Sequence, residues 1–318
     1  MSKQSRRLCA TRREALLLAS AAALSPSTLL AEPLPEAGPQ EIAPGVFVHR
    51  GAHALASASN HGDIANLSFI VGSDSVAVID SGGSALVGRS LAEAVKSATR
   101  KPIRTVINTH MHPDHVLGNA AFESAGVEFI AHHKMAKALA ARAESYLARA
   151  HEQLGDAFAD TKIVYPTRGV EAQMTLDLGG RALVLTPRPT AHTDNDLTIF
   201  DTTTETLFSG DLVFSQHIPT LDGSIRGWLA LIDALASEQA KRVTPGHGPA
   251  SMTWPDALAP LKQYLTAVAN DVRASIKAGE TISEATKTAA QSERGNWRLF
   301  DEFHARNVTA AFAELEWE

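Results

Sequence analysis

The stretch Thr-His-Met-His-Pro-Asp-His-Val-Leu-Gly-Asn at residues 109–119 constrains this chain more than any other feature. The run that begins at Val106 reads as a buried strand ending at the motif. His110, His112, Asp114 and His115 then fall on the turn leaving that strand and on the first turn of a helix. Pro113 suits the helix start, where its missing N–H costs nothing. Alternate residues of an extended turn face the same way. His110 and His112 can therefore grip one cation, while Asp114 and His115 reach a second beside it. Four metal-capable side chains crowded into 110–115 make a poor solvated loop.

Thiol chemistry is excluded from the body of the chain, because its single cysteine is Cys9. No intrachain disulfide can form, and any metal site must be built from His and carboxylate. Such a donor set favours zinc, iron or manganese over an iron–sulfur cluster. The thirteen histidines are more than an ordinary domain of this size needs. Three further candidates each lie just past a predicted strand: His192 after 182–186, Asp211 after 206–209 and His247 after 242–244. Taken singly, each reads as well as a structural turn residue. Together they place single ligands at successive strand ends, where open α/β scaffolds gather their functional loops.

The surrounding pattern predicts an α/β protein of one domain over 32–318. Further strands are expected at 46–49, 67–71, 76–79, 127–131 and 197–200, with helices at 85–98, 134–153, 228–237 and 257–278. Gly279 should end the last of these, and Thr281 with Glu284 fits a capping box for a short helix. Phe300, Phe303, Val308, Phe312 and Leu315 carry a final amphipathic helix. Residues 32–44 are proline-rich and expected to lack regular structure. The formal charge of −6 offers no basic surface for nucleic acid and no polybasic membrane patch. At the start of the chain, Arg12 and Arg13 precede a short apolar run at 15–24, the pattern of a twin-arginine export signal. That run is too short to span a bilayer comfortably. Residues 1–31 are thus expected to direct the protein to the periplasm, leaving no stable membrane insertion after removal.

With H-x-H-x-D-H at 110–115 and His192, Asp211 and His247 following in order, the chain resembles the metallo-β-lactamase superfamily. The resemblance implies an αββα sandwich with a dinuclear site at one edge. By position, His110, His112 and His192 would hold one ion, Asp114, His115 and His247 the other, and Asp211 would bridge them. Three segments carry a narrower likeness, to the quinoprotein relay system zinc metallohydrolases: 112–122, 190–197 and His-Ile-Pro-Thr-Leu-Asp-Gly-Ser at 217–224. Two zinc ions are expected, with iron as the alternative. In the main antibiotic-hydrolysing members a Cys or Ser stands where this chain has Asp211, whereas glyoxalase II and many other hydrolases have Asp.

Two adjacent divalent ions lower the pKa of a shared water toward neutrality. A hydroxide between them is expected to attack an ester, thioester or amide carbonyl of a small-molecule substrate, with Asp114 both binding metal and orienting the nucleophile. Asp80 reads either as a residue supporting the ligands or as a turn cap. In the loop 51–66, His61 reads as a solvated histidine or a substrate contact. His217 and Asp222 are expected to line the pocket, and His133 to stay outside it. Two other functions fit the sequence: a β-lactamase, weak or promiscuous, and a non-catalytic metal-binding accessory of a quinoprotein dehydrogenase.

Overall fold

A computed structural model describes residues 38–318; the expected export signal lies outside them. The first half of the described chain forms β1 (Gln40–Ala43), β2 (Val46–His49), β3 (Leu67–Val71), β4 (Val76–Ile79), α1 (Ala85–Ala98), β5 (Ile103–Ile107), α2 (Pro113–Val116), β6 (Glu128–His132), α3 (Met135–Leu154) and β7 (Arg168–Val170). Its seven strands lie side by side in chain order, antiparallel from β1 to β4 and parallel from β4 to β7. The second half forms β8 (Met174–Asp177), β9 (Ala182–Pro187), β10 (Leu197–Asp201), β11 (Thr206–Phe214), α4 (Ile225–Leu235), β12 (Arg242–His247), β13 (Met252–Thr253), α5 (Leu258–Ala278), α6 (Ile282–Thr288) and α7 (Phe300–Leu315). Its six strands run β13-β12-β11-β10-β9-β8.

The period of two along each strand dictates how these layers stack. In β4, Val76 and Val78 face Val87, Leu91 and Val95 of α1, while Ala77 and Ile79 turn the other way. That second face meets Leu183, Leu185, Leu197 and Ile199 of the other sheet. The other sheet's outer residues, Leu207 and Val243 among them, pack beneath Trp228, Leu261, Tyr264 and Phe312 of the C-terminal helices. Helix, sheet, sheet and helix follow in that order, the expected αββα arrangement. No helix among the described residues is long and apolar enough to cross a membrane.

The helix signals act where the sequence places them. Gly279 ends α5 in the left-handed conformation at φ 75°, and Thr281 and Glu284 form the reciprocal capping box of α6. Three expectations need correction. Residues 40–43, assigned to an unstructured leader, pair antiparallel with β2, and Ala43 is buried against the inter-sheet core. Proline content nearby could not reveal a partner that only the folded sheet supplies. The strand at 206–209 continues to Phe214, and that at 242–244 continues to His247. Gly210, at φ +51°, lets β11 shift its register against β12, so the strand passes through the region where a turn was expected. Last, the helix expected from Asp114 is a single turn, Pro113–Val116, followed by a 3₁₀ segment at Leu117–Phe122.

Candidate metal centre

Seven side chains converge where β5, β9, β11 and β12 end or bend. His110 and His112 lie on the turn after β5, Asp114 and His115 on α2, and His192 follows β9. Asp211 sits within the shifted part of β11, and His247 closes β12. Gly246 makes this approach feasible, since a Cβ there would lie 1.9 Å from Asp211 Oδ1.

The inward-facing atoms fall into two groups, His110, His112, His192 and Asp211 in one, and Asp114, His115 and His247 in the other. In the first, His112 Nδ1 lies 3.1 Å from His110 Nε2 and 3.0 Å from His192 Nε2. Asp211 Oδ2 is 3.7 Å from His110 Nε2 and 3.4 Å from His192 Nε2. In the second, Asp114 Oδ2 is 3.3 Å from His247 Nε2 and 3.6 Å from His115 Nε2. Asp211 faces that group too, with Oδ1 at 3.2 Å from His115 Nε2 and Oδ2 at 3.5 Å from His247 Nε2. A tetrahedron with ligands at about 2.1 Å has edges of about 3.4 Å, so these separations suit divalent ions.

Each imidazole is held by its other nitrogen. His115 Nδ1 meets Asp80 Oδ2 at 2.8 Å, and His112 Nε2 meets Asp222 Oδ2 at 3.0 Å. His192 Nδ1 and His247 Nδ1 lie 2.7 and 2.9 Å from the carbonyls of Thr220 and Ile64. His110 Nδ1 lies 3.0 Å from Thr109 Oγ1, whose hydroxyl donates to Asp80. Oxygen acceptors behind all five rings put each N–H outward and each lone pair inward. Within the cluster, the buried His115 Nε2 and Asp211 Oδ1 have no hydrogen bond of acceptable geometry. Buried polar atoms are rarely left so, and a cation between them would satisfy both.

Charge balance points the same way. Burial lowers the pKa of His192 to about 3 and takes His110 well below its ordinary value, with His115 adding to the effect on His110. Burial acts equally against charge on His247, yet Asp211 and Asp114 push it up to about 9. Asp211 itself is held well below the carboxylate range, the cost of burial being overcome by His247 and His115. The buried Asp211 and the half-buried Asp114 thus draw positive charge into the site. Protons on His115 and His247 supply it in the absence of metal, and divalent cations would displace them.

The centre opens into a cavity of about 770 Å³. Asp114, His217 and His247 line it. His217 is fixed by a 2.6 Å hydrogen bond from Nδ1 to the Ile218 carbonyl, and its ring lies 4.8 Å from that of His247. Asp222 stands one layer behind, joining His112 to Arg142. Asp80, in the left-handed conformation at φ 58°, accepts from Thr109 N, Thr109 Oγ1 and His115, so it supports the ligands rather than merely capping a turn. His61 is elsewhere: it is exposed and lines a separate, smaller cavity with His49 and Asp63. His133 is also exposed, bonded to the Val170 carbonyl. Sequence reasoning did not find Arg142, Tyr146 and Arg149 of α3, or Phe303 and Arg306 of α7, which complete the cavity wall. The only linear trace of the α3 residues is the three- and four-residue spacing of polar side chains along 142–153, which reads equally as a solvated helix face.

Residues 62–247 match the family model described as the metallo-beta-lactamase superfamily. A search of curated proteins finds no match. Solved structures give the same fold at low identity. A metallo-beta-lactamase from Pontibacter korlensis is 20% identical, with TM-score 0.59 over 72% of this chain and 98% of its own. A beta-lactamase domain protein from Burkholderia ambifaria is 19% identical, with TM-score 0.66 over 90% of each chain. The sec-alkylsulfatase Pisa1 from Pseudomonas sp. is 17% identical, with TM-score 0.68 over 88% of this chain and half of the sulfatase.

Proposed function

The chain belongs to the metallo-β-lactamase superfamily, and we propose that it is an exported hydrolase using two metal ions, zinc in preference to iron, on a small-molecule ester, thioester or amide. One observation carries the reading. Seven donors point inward at coordination spacing, and every imidazole among them is locked from behind by an oxygen acceptor. By this reading His110, His112 and His192 hold one ion, Asp114, His115 and His247 the other, and Asp211 touches both. When bound, such ions supply a hydroxide nucleophile at neutral pH and polarise the scissile carbonyl.

The remaining work falls to the chain. Asp114 keeps 19% of its side chain exposed against 3% for Asp211, so of the two carboxylates lining the cavity it is the more open to it. It can accept a proton from water held there and orient that water toward a substrate carbonyl. Asp80 and Asp222 fix the rings of His115 and His112 and so hold the ligand geometry. The segments at 112–122, 190–197 and 217–224 support placing the activity beside a quinoprotein dehydrogenase in the periplasm. Asp211, in place of the Cys or Ser of the antibiotic-hydrolysing members, argues for weak or absent lactam hydrolysis.

Elemental analysis of zinc-loaded protein should give about two ions per chain, and a firm value near one would sink the dinuclear reading. Rates on ester, thioester, amide and lactam panels test the rest. Fully metallated protein inert on all four would leave the accessory role as the better account.

A further inference from the structure

The cavity that the metal donors face also has a cationic wall, although the chain as a whole carries a formal charge of −6. Arg142 and Arg149 project from α3 and Arg306 from α7. Residues 142 and 149 are two helical turns apart and share a face. That face also brings Ser145, Tyr146 and Gln153 to the cavity. Among the described residues that line it, the carboxylates are Asp114 and Asp211, both in the donor cluster. Asp222 partly offsets the arginines from behind, pairing with Arg142 at 2.5 Å and more loosely with Arg306 at 3.4 Å. Arg149 forms no ion pair or hydrogen bond with any described residue.

Arg142 and the helix that carries Arg306 are tied to the loop of Asp222, which leaves Arg149 as the arginine of this wall with no protein partner among the described residues. Arg142 is pinned by Asp222, which also grips His112, so one carboxylate links the cationic wall to the donor cluster. Next to Arg306, Asn307 accepts from Leu221 N at 2.9 Å and donates to the Pro219 carbonyl at 2.6 Å, fastening α7 to the loop that carries Asp222. The same cavity also presents apolar surfaces of Leu55, Ile64, Phe214 and Phe303. The cavity is of a size that takes a small organic ligand.

We infer that the substrate carries an oxyanion, a carboxylate or a sulfate, held by Arg149 and Arg306 while its scissile carbonyl lies at the donor cluster and an apolar spacer crosses the gap. This rests on the hydrolase reading above. Guanidinium groups bind such oxyanions through paired, charge-assisted hydrogen bonds, which a neutral isostere cannot accept with equal strength.

The test uses the zinc-loaded protein and two matched substrates, the mono-4-nitrophenyl ester of glutarate and its methyl-capped neutral counterpart. The acid should be preferred by at least about tenfold in kcat/KM. R149Q and R306Q should each shrink that preference, R149K should retain part of it, and R89Q, an exposed arginine paired with Asp160, should leave it intact. Calorimetry with glutarate and with butyl sulfate gives a readout independent of turnover. Binding should weaken in R149Q and with added salt, and the tighter ligand identifies the oxyanion. Equal rates on the two esters, or anion binding indifferent to both arginine substitutions, would overturn the inference while leaving hydrolysis standing. If neither ester turns over, the hydrolase reading suffers, and calorimetry alone decides the anion site: loss of binding in R149Q supports it, and unchanged or absent binding refutes it.

Discussion

Replacing Asp80 with Asn keeps the side chain's shape while removing its charge and one acceptor oxygen, because the two side chains are isosteric and Asn tolerates the left-handed backbone at φ 58°. The carboxylate accepts three hydrogen bonds, at 2.8 Å from Thr109 N, 2.7 Å from Thr109 Oγ1 and 2.8 Å from His115 Nδ1. An amide cannot satisfy all three. With its NH₂ toward His115, that ring must move its proton to Nε2, the atom facing Asp114 and Asp211. With its NH₂ toward the Thr109 backbone, two donors collide. Loss of one buried, charge-assisted hydrogen bond should cost about 1.5–3 kcal/mol of stability. Loss of a partner behind a metal-bound imidazole typically weakens metal binding by about 10–100-fold, equivalent to about 1.4–2.7 kcal/mol. Competition with a chromophoric chelator would measure the affinity for each ion, and thermal unfolding of metal-free and loaded protein would separate the stability term. The expected result is selective weakening of the ion held with His115. An Asp80→Asn protein that binds both ions as tightly as the parent would refute the claim that Asp80 sets the His115 tautomer.

Asp114→Ala should stay folded, lose much of its second ion and fall in turnover by at least about a hundredfold, whereas His133→Ala should be nearly silent; circular dichroism, metal content and rates on both variants check this, and parental turnover by Asp114→Ala would refute the assignment. Asp201 is buried, and hydrogen bonds from Arg181 and Thr204 hold its pKa below the ordinary range despite the cost of burial. Its stabilising contribution is therefore full above the unfolded value of about 4 and is lost as pH falls through the lower folded value. Asp201→Asn should accordingly cost about 3–5 kcal/mol at neutral pH by stranding Arg181, with the difference from the parent shrinking in acid; an unfolding gap independent of pH would count against this. Replacing Arg12 and Arg13 with Lys should leave precursor in the cytoplasm, as fractionation and immunoblotting would show; normal periplasmic accumulation would count against the export signal, unless Arg6 and Arg7 substitute.

The sequence by itself determined the layers and the donor types. The unbroken apolar run Val76–Ile79 reports a strand buried on both faces, and the spacing of Leu261, Leu265, Val268 and Val272 reports one helix face. Both are local patterns that survive in any sheet or helix built from those residues. His110, His112, Asp114 and His115 were legible for the same reason: they are neighbours in the chain, and a short turn can hardly separate them. Only the tertiary structure decided what stands behind and around them. Asp80 reaches His115, Asp222 reaches His112, and the carbonyls of Ile64 and Thr220 reach His247 and His192, contacts spanning from 28 to 183 residues along the chain. It also decided that β11 runs on through Asp211, since the shift at Gly210 depends on how β12 pairs beside it. The cationic wall shows the limit most clearly. An arginine on a helix reads as a solvated charge until packing sets which face looks outward and which looks across a cavity at a cluster of metal donors.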